Sequence, residues 1–319
     1  MHKIPNTNEV RIETSTLCNA ACVFCPWHTD DFTRKKEVMS YDDYAFYIDK
    51  VKDELGDKIT ETTVSGFGEA FIDKGILDKM KYASKNELGI HVLTNGSLLS
   101  KSKIDTMFDL PILDLRVSLH TTNPDSYGKI LNFKNKRFDL NNVLDLINYA
   151  ISIKPDTVNI IITADIVDEN KNDVQKMIDD FEDRCSLEIW HPHNWVDNLD
   201  YRKDDLLVTK DTCGRPFNGP IQIQIDGDVI MCCFDFNNDM VIGNFKEQTL
   251  EEIFTIDGNN LFSKIYNHHS KGTCGDSDLI CANCDQLKTS PNVVIYNNRV
   301  NDNSDRIKMT STSMEDICQ

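Results

Sequence analysis

No stretch of this 319-residue chain approaches the 18 or more consecutive apolar residues that a membrane span needs. Residues 1–8 carry no apolar run of the kind that directs export, so the expected compartment is the cytoplasm. Glycine and proline are scarce, at 14 and 9, which excludes a collagen-like or low-complexity chain. Basic residues are in the minority, 34 against 52 acidic, for a formal net charge of −18. Such a balance lacks the footprint of a nucleic-acid binder and disfavours anionic membranes, so neither partner is expected. Hydrophobic residues at 40% and charged residues at 27% make an ordinary globular composition. The length predicts two domains, at about 150 residues each, and can bury a full core without disulfide staples.

Cysteine is what the chain does have. Eleven are present, an odd count and too sparse for a disulfide scaffold. In a reducing compartment such thiols stay free or bind metal. Cys18, Cys22 and Cys25 lie within eight residues; Cys185 stands alone; the rest fall between Cys213 and Cys318. Clusters at both ends with an empty middle predict two metal sites on two modules.

Strand and helix signals alternate through the first two-thirds. β-Prone runs at Val10–Thr14, Thr62–Val64, Ile90–Leu93, Leu113–Leu119, Val158–Ile162 and Leu187–Trp190 are separated by five apolar stripes at helical spacing. These stripes start near Tyr44, Ile76, Ile104, Val143 and Val174, the first behind a possible Ser40–Asp43 capping box. Repeated βαβ units predict an α/β fold with a parallel sheet, and ligands in such folds collect at the C-terminal ends of the strands. The chemically capable residues follow the strands in this way: the three cysteines after the first, Gly66–Glu69 after the second, Thr94 and Asn95 at the third, Ser118 and His120 at the fourth, Thr163 at the fifth, His191 and His193 at the sixth. Beyond residue 197 the pattern changes to a β-hairpin, with Ile221, Ile223 and Ile225 alternating before Gly227–Asp228 and Val229–Met231. A short helix near Leu250–Phe254 follows. The Asn/Asp/Ser/Thr-rich stretch from about residue 289 is expected to be mostly a loose polar tail.

Cys18-x3-Cys22-x2-Cys25, with Phe24 just before the last cysteine, puts three thiolates on one loop and leaves one coordination position of a metal cluster unfilled. Thiolates select zinc, copper(I) or iron–sulfur; the plain alternative is a structural zinc knot completed by His28. Placed after a first strand, with the Ser65-Gly66-Phe67-Gly68-Glu69 loop after the second, the motif resembles that of the radical S-adenosylmethionine (SAM) enzymes. The resemblance spans about residues 8–196 and implies a partial (β/α)6, TIM-like barrel whose [4Fe–4S] cluster sits on the three cysteines. It implies that Gly66, Gly68 and Glu69 hold the SAM amino group, although Phe67 interrupts the family's glycine–glycine–glutamate pattern. Phe24, Thr94, Asn95, Ser118 and Thr163 fall where the family places cofactor contacts.

Cys213, then thirteen residues, Gly227, four residues and Cys232, with Cys281-x2-Cys284 farther on, resembles the auxiliary-cluster domains of the same superfamily. These are called SPASM with two clusters and Twitch with one. Four spaced cysteines match one closed [4Fe–4S] cluster, hence Twitch, over residues 205–290, with residues 291–319 as the tail. A zinc ribbon is the competing reading of four cysteines. Cys233 and Cys274 are left unassigned, Cys185 and Cys318 are expected to be incidental, and His268–His269 to be an ordinary exposed pair.

The resemblance implies reductive cleavage of SAM to a 5′-deoxyadenosyl radical, which takes a hydrogen atom from an unactivated C–H bond. It also implies an external one-electron reductant of flavodoxin or ferredoxin type. The expected reaction is oxidation of a small polar metabolite, sugar- or cyclitol-like, with the auxiliary cluster accepting an electron. The alternatives are maturation of a ribosomally made peptide or protein, which the 17 residues before Cys18 modestly disfavour, and a non-enzymatic zinc or iron–sulfur protein. No pattern identifies a base; His120, His191 and His193 are the candidates.

Overall fold

The computed structural model describes residues 1–135, 138–196, 210–287 and, for the backbone alone, 293–296. The six expected runs form parallel strands β1 (Glu9–Glu13), β2 (Glu61–Ser65), β3 (Gly89–Thr94), β4 (Ile112–Ser118), β5 (Asn159–Asp165) and β6 (Ser186–Trp190). Each is hydrogen-bonded to its successor, in the order of the sequence. Between them lie α1 (Tyr41–Leu55), α2 (Ile76–Lys85), α3 (Lys101–Phe108), α4 (Pro124–Leu131), α5 (Leu140–Ile153) and α6 (Val174–Phe181). This is the mixed α/β, partial-barrel architecture expected. Helix α4, absent from the sequence reading, is started by Asn123, whose side chain accepts from Asp125 N, and by Pro124 in the first turn. At α1, Ser40 Oγ accepts from Asp43 N at 3.0 Å, and Asp43 answers by accepting from the Ser40 hydroxyl.

Alternation along the strands sorts side chains between two faces. Val10, Ile12, Val64, Ile90, Val92, Leu115, Val117, Ile160 and Ile162 pack with Tyr44, Ile48, Val51, Met80 and Ile147 in one core between sheet and helices. Each fully buried aliphatic side chain contributes roughly 1.5–3 kcal/mol. The opposite face turns into the barrel.

The C-terminal module adds to the same sheet. β7 (Ile221–Ile223) pairs parallel with β1, and β8 (Asp228–Ile230) and β9 (Val241–Asn244) continue antiparallel. The expected hairpin is therefore present, with a third strand, and extends the β1 edge. Helices α7 (Arg215–Asn218), α8 (Leu250–Ile253) and α9 (Leu261–Lys271) accompany it. Lys50 of α1 clamps the module by donating to Phe245 O at 2.6 Å and Gln248 O at 2.7 Å. At the other edge, β10 (Val293–Tyr296) pairs antiparallel with β6, so four residues of the expected tail are a strand instead. The rest of that tail, with Cys318, lies outside the described residues, as does the expected boundary near residue 205.

Candidate active site

Cys18, Cys22 and Cys25 sit in the loop between β1 and α1. Backbone bonds fix it against the end of α4: Ala21 N donates to Leu131 O and Val23 N to Ile130 O, both at 3.0 Å. Trp27 Nε1 donates to Thr16 O at 2.6 Å, and Lys36 Nζ lies 3.8 Å above the Trp27 ring. Burial pushes the Cys18 thiol up to about 11 and Cys25 to about 12, and raises Cys22 well above its ordinary value. Cys25 and Cys18 add to the Cys22 shift, and Cys18 to that of Cys25. Thiols so placed ionise when a bound cation compensates them, because a coordinating thiol is deprotonated outright.

The loop after β2 runs tightly against this segment. A Cβ on Gly66 would stand 2.1 Å from Ser15 O, and one on Gly68 2.1 Å from Leu17 O. Gly68 N donates to Ser15 O at 3.1 Å and Glu69 N to Leu17 O at 2.7 Å. Phe67, between the glycines, packs against Phe32 and Trp195, each at 5.4 Å. The glycines serve close backbone approach, and Phe67 serves the aromatic cluster of Trp27, Phe32, Phe236 and Trp195 beside Cys18 and Cys25. Glu69 is buried and accepts three hydrogen bonds: from Thr94 Oγ1 at 2.7 Å, Asn95 N at 2.7 Å and Phe71 N at 3.0 Å. Burial raises its carboxyl, and those donors partly offset the shift. Asn95 Nδ2 donates to Asn19 Oδ1 at 3.0 Å, and Asn19 Nδ2 to Ser97 Oγ at 2.8 Å. One polar chain therefore links the cysteine loop, the glycine loop and the end of β3.

The inner face of the sheet is charged. Glu9 accepts from Arg11 Nε at 2.7 Å and from Thr63, and Glu13 pairs with Arg34. His91 bridges Asp114 at 2.7 Å and Glu61 at 3.1 Å; Arg116 bridges Asp114 and Glu188. Burial pushes Glu9 up, but Arg11 and Thr63 hold it down at about 2. Burial also pulls His91 down, but its two carboxylate partners hold it up at about 9. Asp165, at the end of β5, differs. Burial pushes its carboxyl up to about 7, partly opposed by His193, and no donor among the described residues hydrogen-bonds it. Its backbone N–H donates to His120, whose ring packs on Phe24 of the cysteine loop, which places it on the cysteine-loop side of the barrel.

In the C-terminal module Cys213, Cys232, Cys281 and Cys284 line one cavity together with Arg215, His269 and apolar side chains that include Met231, Met240, Ile265 and Leu287. Cys233 Sγ instead accepts from Arg215 Nη2 at 3.7 Å. Cys274 is buried but does not line the cavity, and Cys185 is buried with Sγ on Phe181 O at 3.8 Å.

The sequence model of the Radical SAM superfamily matches residues 12–181, and that of the SPASM iron–sulfur cluster-binding domain matches residues 213–285. The chain belongs to the radical SAM superfamily. An uncharacterized protein of Methanocaldococcus jannaschii, MJ0103, is 24% identical over 208 residues, 63% of this chain and 46% of that one. The chain thus spans about half the length of that curated relative. Among solved structures, BtrN in complex with AdoMet and 2-DOIA superposes with a TM-score of 0.61 at 19% identity, over 89% of this chain and 94% of that one. Streptococcus suis SuiB bound to its precursor peptide SuiA gives 0.65 at 14%, over 89% and 71%. At these identities the likeness is one of fold.

A radical SAM core with a SPASM domain uses SAM and iron–sulfur clusters as cofactors, and the residues present fit them. Soft thiols supply both donor sets. In the C-terminal module all four thiols of the expected set line the same pocket. His28, the fourth ligand of the zinc-knot alternative, is exposed.

The histidine candidates separate. His120 is buried in a left-handed backbone conformation (φ 66°), its ring 4.8 Å from that of Phe24 and its Nδ1 accepting from Asp165 N at 3.0 Å. Burial pulls it down to about 3. His193 packs 4.0 Å from the Phe234 ring, with Nδ1 3.1 Å from Gln286 Nε2 and 3.4 Å from Asp285, which joins barrel to module. His191 follows β6 directly. Thr163 Oγ1 donates to Ser118 Oγ at 3.3 Å, and Phe24 O accepts from Trp195 Nε1 at 2.9 Å. His269, expected to be exposed, is buried against Thr212 Oγ1 at 2.8 Å and faces the cavity. Asn19, Ser97, Asp165 and Arg215 escaped the sequence reading; the polar strand-end position of Asp165 was a usable signal, whereas the other three depend on tertiary contact.

Proposed function

We propose that the protein is a radical SAM oxidoreductase that oxidises a small polar metabolite, sugar- or cyclitol-like, using one auxiliary [4Fe–4S] cluster as electron acceptor. The observation that carries the reading is the four-thiol cavity: Cys213, Cys232, Cys281 and Cys284 would fill every ligand position of one cluster, leaving no site on it for substrate. Cys18, Cys22 and Cys25 would hold the other cluster with one position free for SAM. Bound in this way, the groups supply reductive SAM cleavage, hydrogen-atom abstraction and one-electron oxidation.

The chain's own residues do the rest. Glu69 holds Thr94 and Asn95 in place and keeps about one of its four acceptor sites for the SAM ammonium. Gly66 and Gly68 let the glycine loop lie against Ser15 and Leu17, next to Cys18. Trp27, Phe32, Phe67, Trp195 and Phe236 exclude water on one side of the cysteine loop. Asp165 accepts a substrate hydroxyl at the mouth of the charged barrel. The fold is shared with BtrN, described with AdoMet and 2-DOIA, and with SuiB, described with a peptide. The charged lumen, rather than the fold, therefore favours a small hydroxylated substrate over a peptide.

The test is turnover by the anaerobically reconstituted protein with a one-electron reductant and SAM, against a panel of sugars and aminocyclitols and a panel of peptides. The reading expects one SAM consumed per oxidised small molecule with no nicotinamide added. Modification of peptides alone, or regeneration of SAM with an isomerised product, would replace it.

A further inference from the structure

Arg215 opens α7 two residues after Cys213 and lines the four-thiol cavity. Its Nη2 donates to Cys233 Sγ at 3.7 Å, and its guanidinium lies 4.8 Å from the Phe234 ring. Among the described residues no carboxylate stands within ion-pair distance of it. By contrast, Arg11, Arg34 and Arg116 of the barrel interior each have such a partner. A guanidinium facing an apolar cavity needs a counter-charge. The one available is sulfur: Arg215 bonds Cys233 Sγ and lines the same pocket as Cys213, Cys232, Cys281 and Cys284. Four thiolates around a [4Fe–4S]²⁺ core carry a net charge of 2−, and gain of one electron makes it 3−. A fixed cation beside the cluster favours the more negative, reduced state, and net charge and hydrogen bonds to sulfur are what set such potentials.

We infer that Arg215 is a positioning residue that tunes the auxiliary cluster: it raises the cluster's reduction potential and so makes it an electron acceptor. This rests on Cys213, Cys232, Cys281 and Cys284 being the ligands of that cluster. Arg215 makes no contact with substrate in this account; it acts through the cluster.

The test uses the full chain, anaerobically reconstituted, in a Cys18→Ala/Cys22→Ala/Cys25→Ala background so that the auxiliary signal is read alone by electron paramagnetic resonance during reductive titration. Arg215→Gln is expected to retain about four iron atoms. Its reduced-to-oxidised ratio at a fixed potential should fall at least tenfold, about 59 mV for a one-electron couple. Arg215→Lys keeps the charge and should titrate near the parent. An unchanged potential in an iron-replete Arg215→Gln protein overturns the inference while leaving the ligand assignment intact. Equal shifts in Gln and Lys variants, or loss of iron from both, overturn it in favour of a packing role. A parent protein without iron in this background removes the ligand assignment itself and the inference with it.

Discussion

Replacing Glu69 probes the joint between the glycine loop and the SAM-facing end of β3. In Glu69→Ala, three buried donors lose their acceptor: Thr94 Oγ1, Asn95 N and Phe71 N. Each unsatisfied donor costs about 1–3 kcal/mol, so together about 3–9 kcal/mol, a large part of a domain's usual stability of roughly 5–15 kcal/mol. Glu69→Gln is the sharper variant. It keeps Oε1 for Phe71 N and Thr94 Oγ1, but an amide NH₂ then meets the Asn95 N–H where Oε2 accepted at 2.7 Å. Loss of one charge-assisted bond predicts destabilisation of about 2–3 kcal/mol. Asn95 also holds Asn19 of the cysteine loop at 3.0 Å, so SAM affinity should fall about tenfold, equivalent to ~1.4 kcal/mol, with first-cluster iron retained. The assays are anaerobic urea denaturation and SAM binding by equilibrium dialysis. Wild-type values for Glu69→Gln in both would refute the clasp.

Gly68→Ala places a methyl 2.1 Å from Leu17 O; the backbone must open and break the Glu69 N to Leu17 O bond, so SAM binding should be lost while circular dichroism is largely kept. His91 is held at about 9 by Asp114 and Glu61, above an unfolded value near 6.5. Its contribution, on the order of 3 kcal/mol, is full below pH ~6.5 and lost as pH rises through about 9. Denaturation midpoints should therefore decline over that window in the wild type and flatten in His91→Gln; parallel profiles would show that the bridge contributes nothing.

Six strands and five of the helices were legible because periodicity and turn residues are local signals. Helix α4 was missed although Asn123–Pro124 is a strong start, because its buried residues Ser126, Tyr127, Ile130 and Leu131 make a short, mixed stripe. Strand β10 was missed because Val293–Tyr296 is four residues inside a polar stretch, and its pairing with β6 is nonlocal. The cysteines were legible as two sets through spacing alone, and the four C-terminal thiols do share one cavity. What surrounds them was not. Trp27 and Phe32 share the β1–α1 loop, but Phe67, Trp195 and Phe236 come from three other loops, and the five meet only in three dimensions. The charged lumen was written in alternation, Glu9–Arg11–Glu13 and Asp114–Arg116, but polar positions on a strand ordinarily mean a solvent face. Only the curling of the sheet into a partial barrel turns that face inward.

The most direct measurement of the central claim, an open thiol site and a closed one on a single chain, is iron content with SAM cleavage across two variant sets. About eight iron atoms are expected in the reconstituted wild type. About half should remain in Cys18→Ala/Cys22→Ala/Cys25→Ala, with SAM cleavage abolished. The same half should remain in Cys213→Ala/Cys232→Ala/Cys281→Ala/Cys284→Ala, with SAM still cleaved to 5′-deoxyadenosine and no oxidised product. Tightly bound stoichiometric zinc without visible iron–sulfur absorption, or full iron in the second variant set, would contradict it.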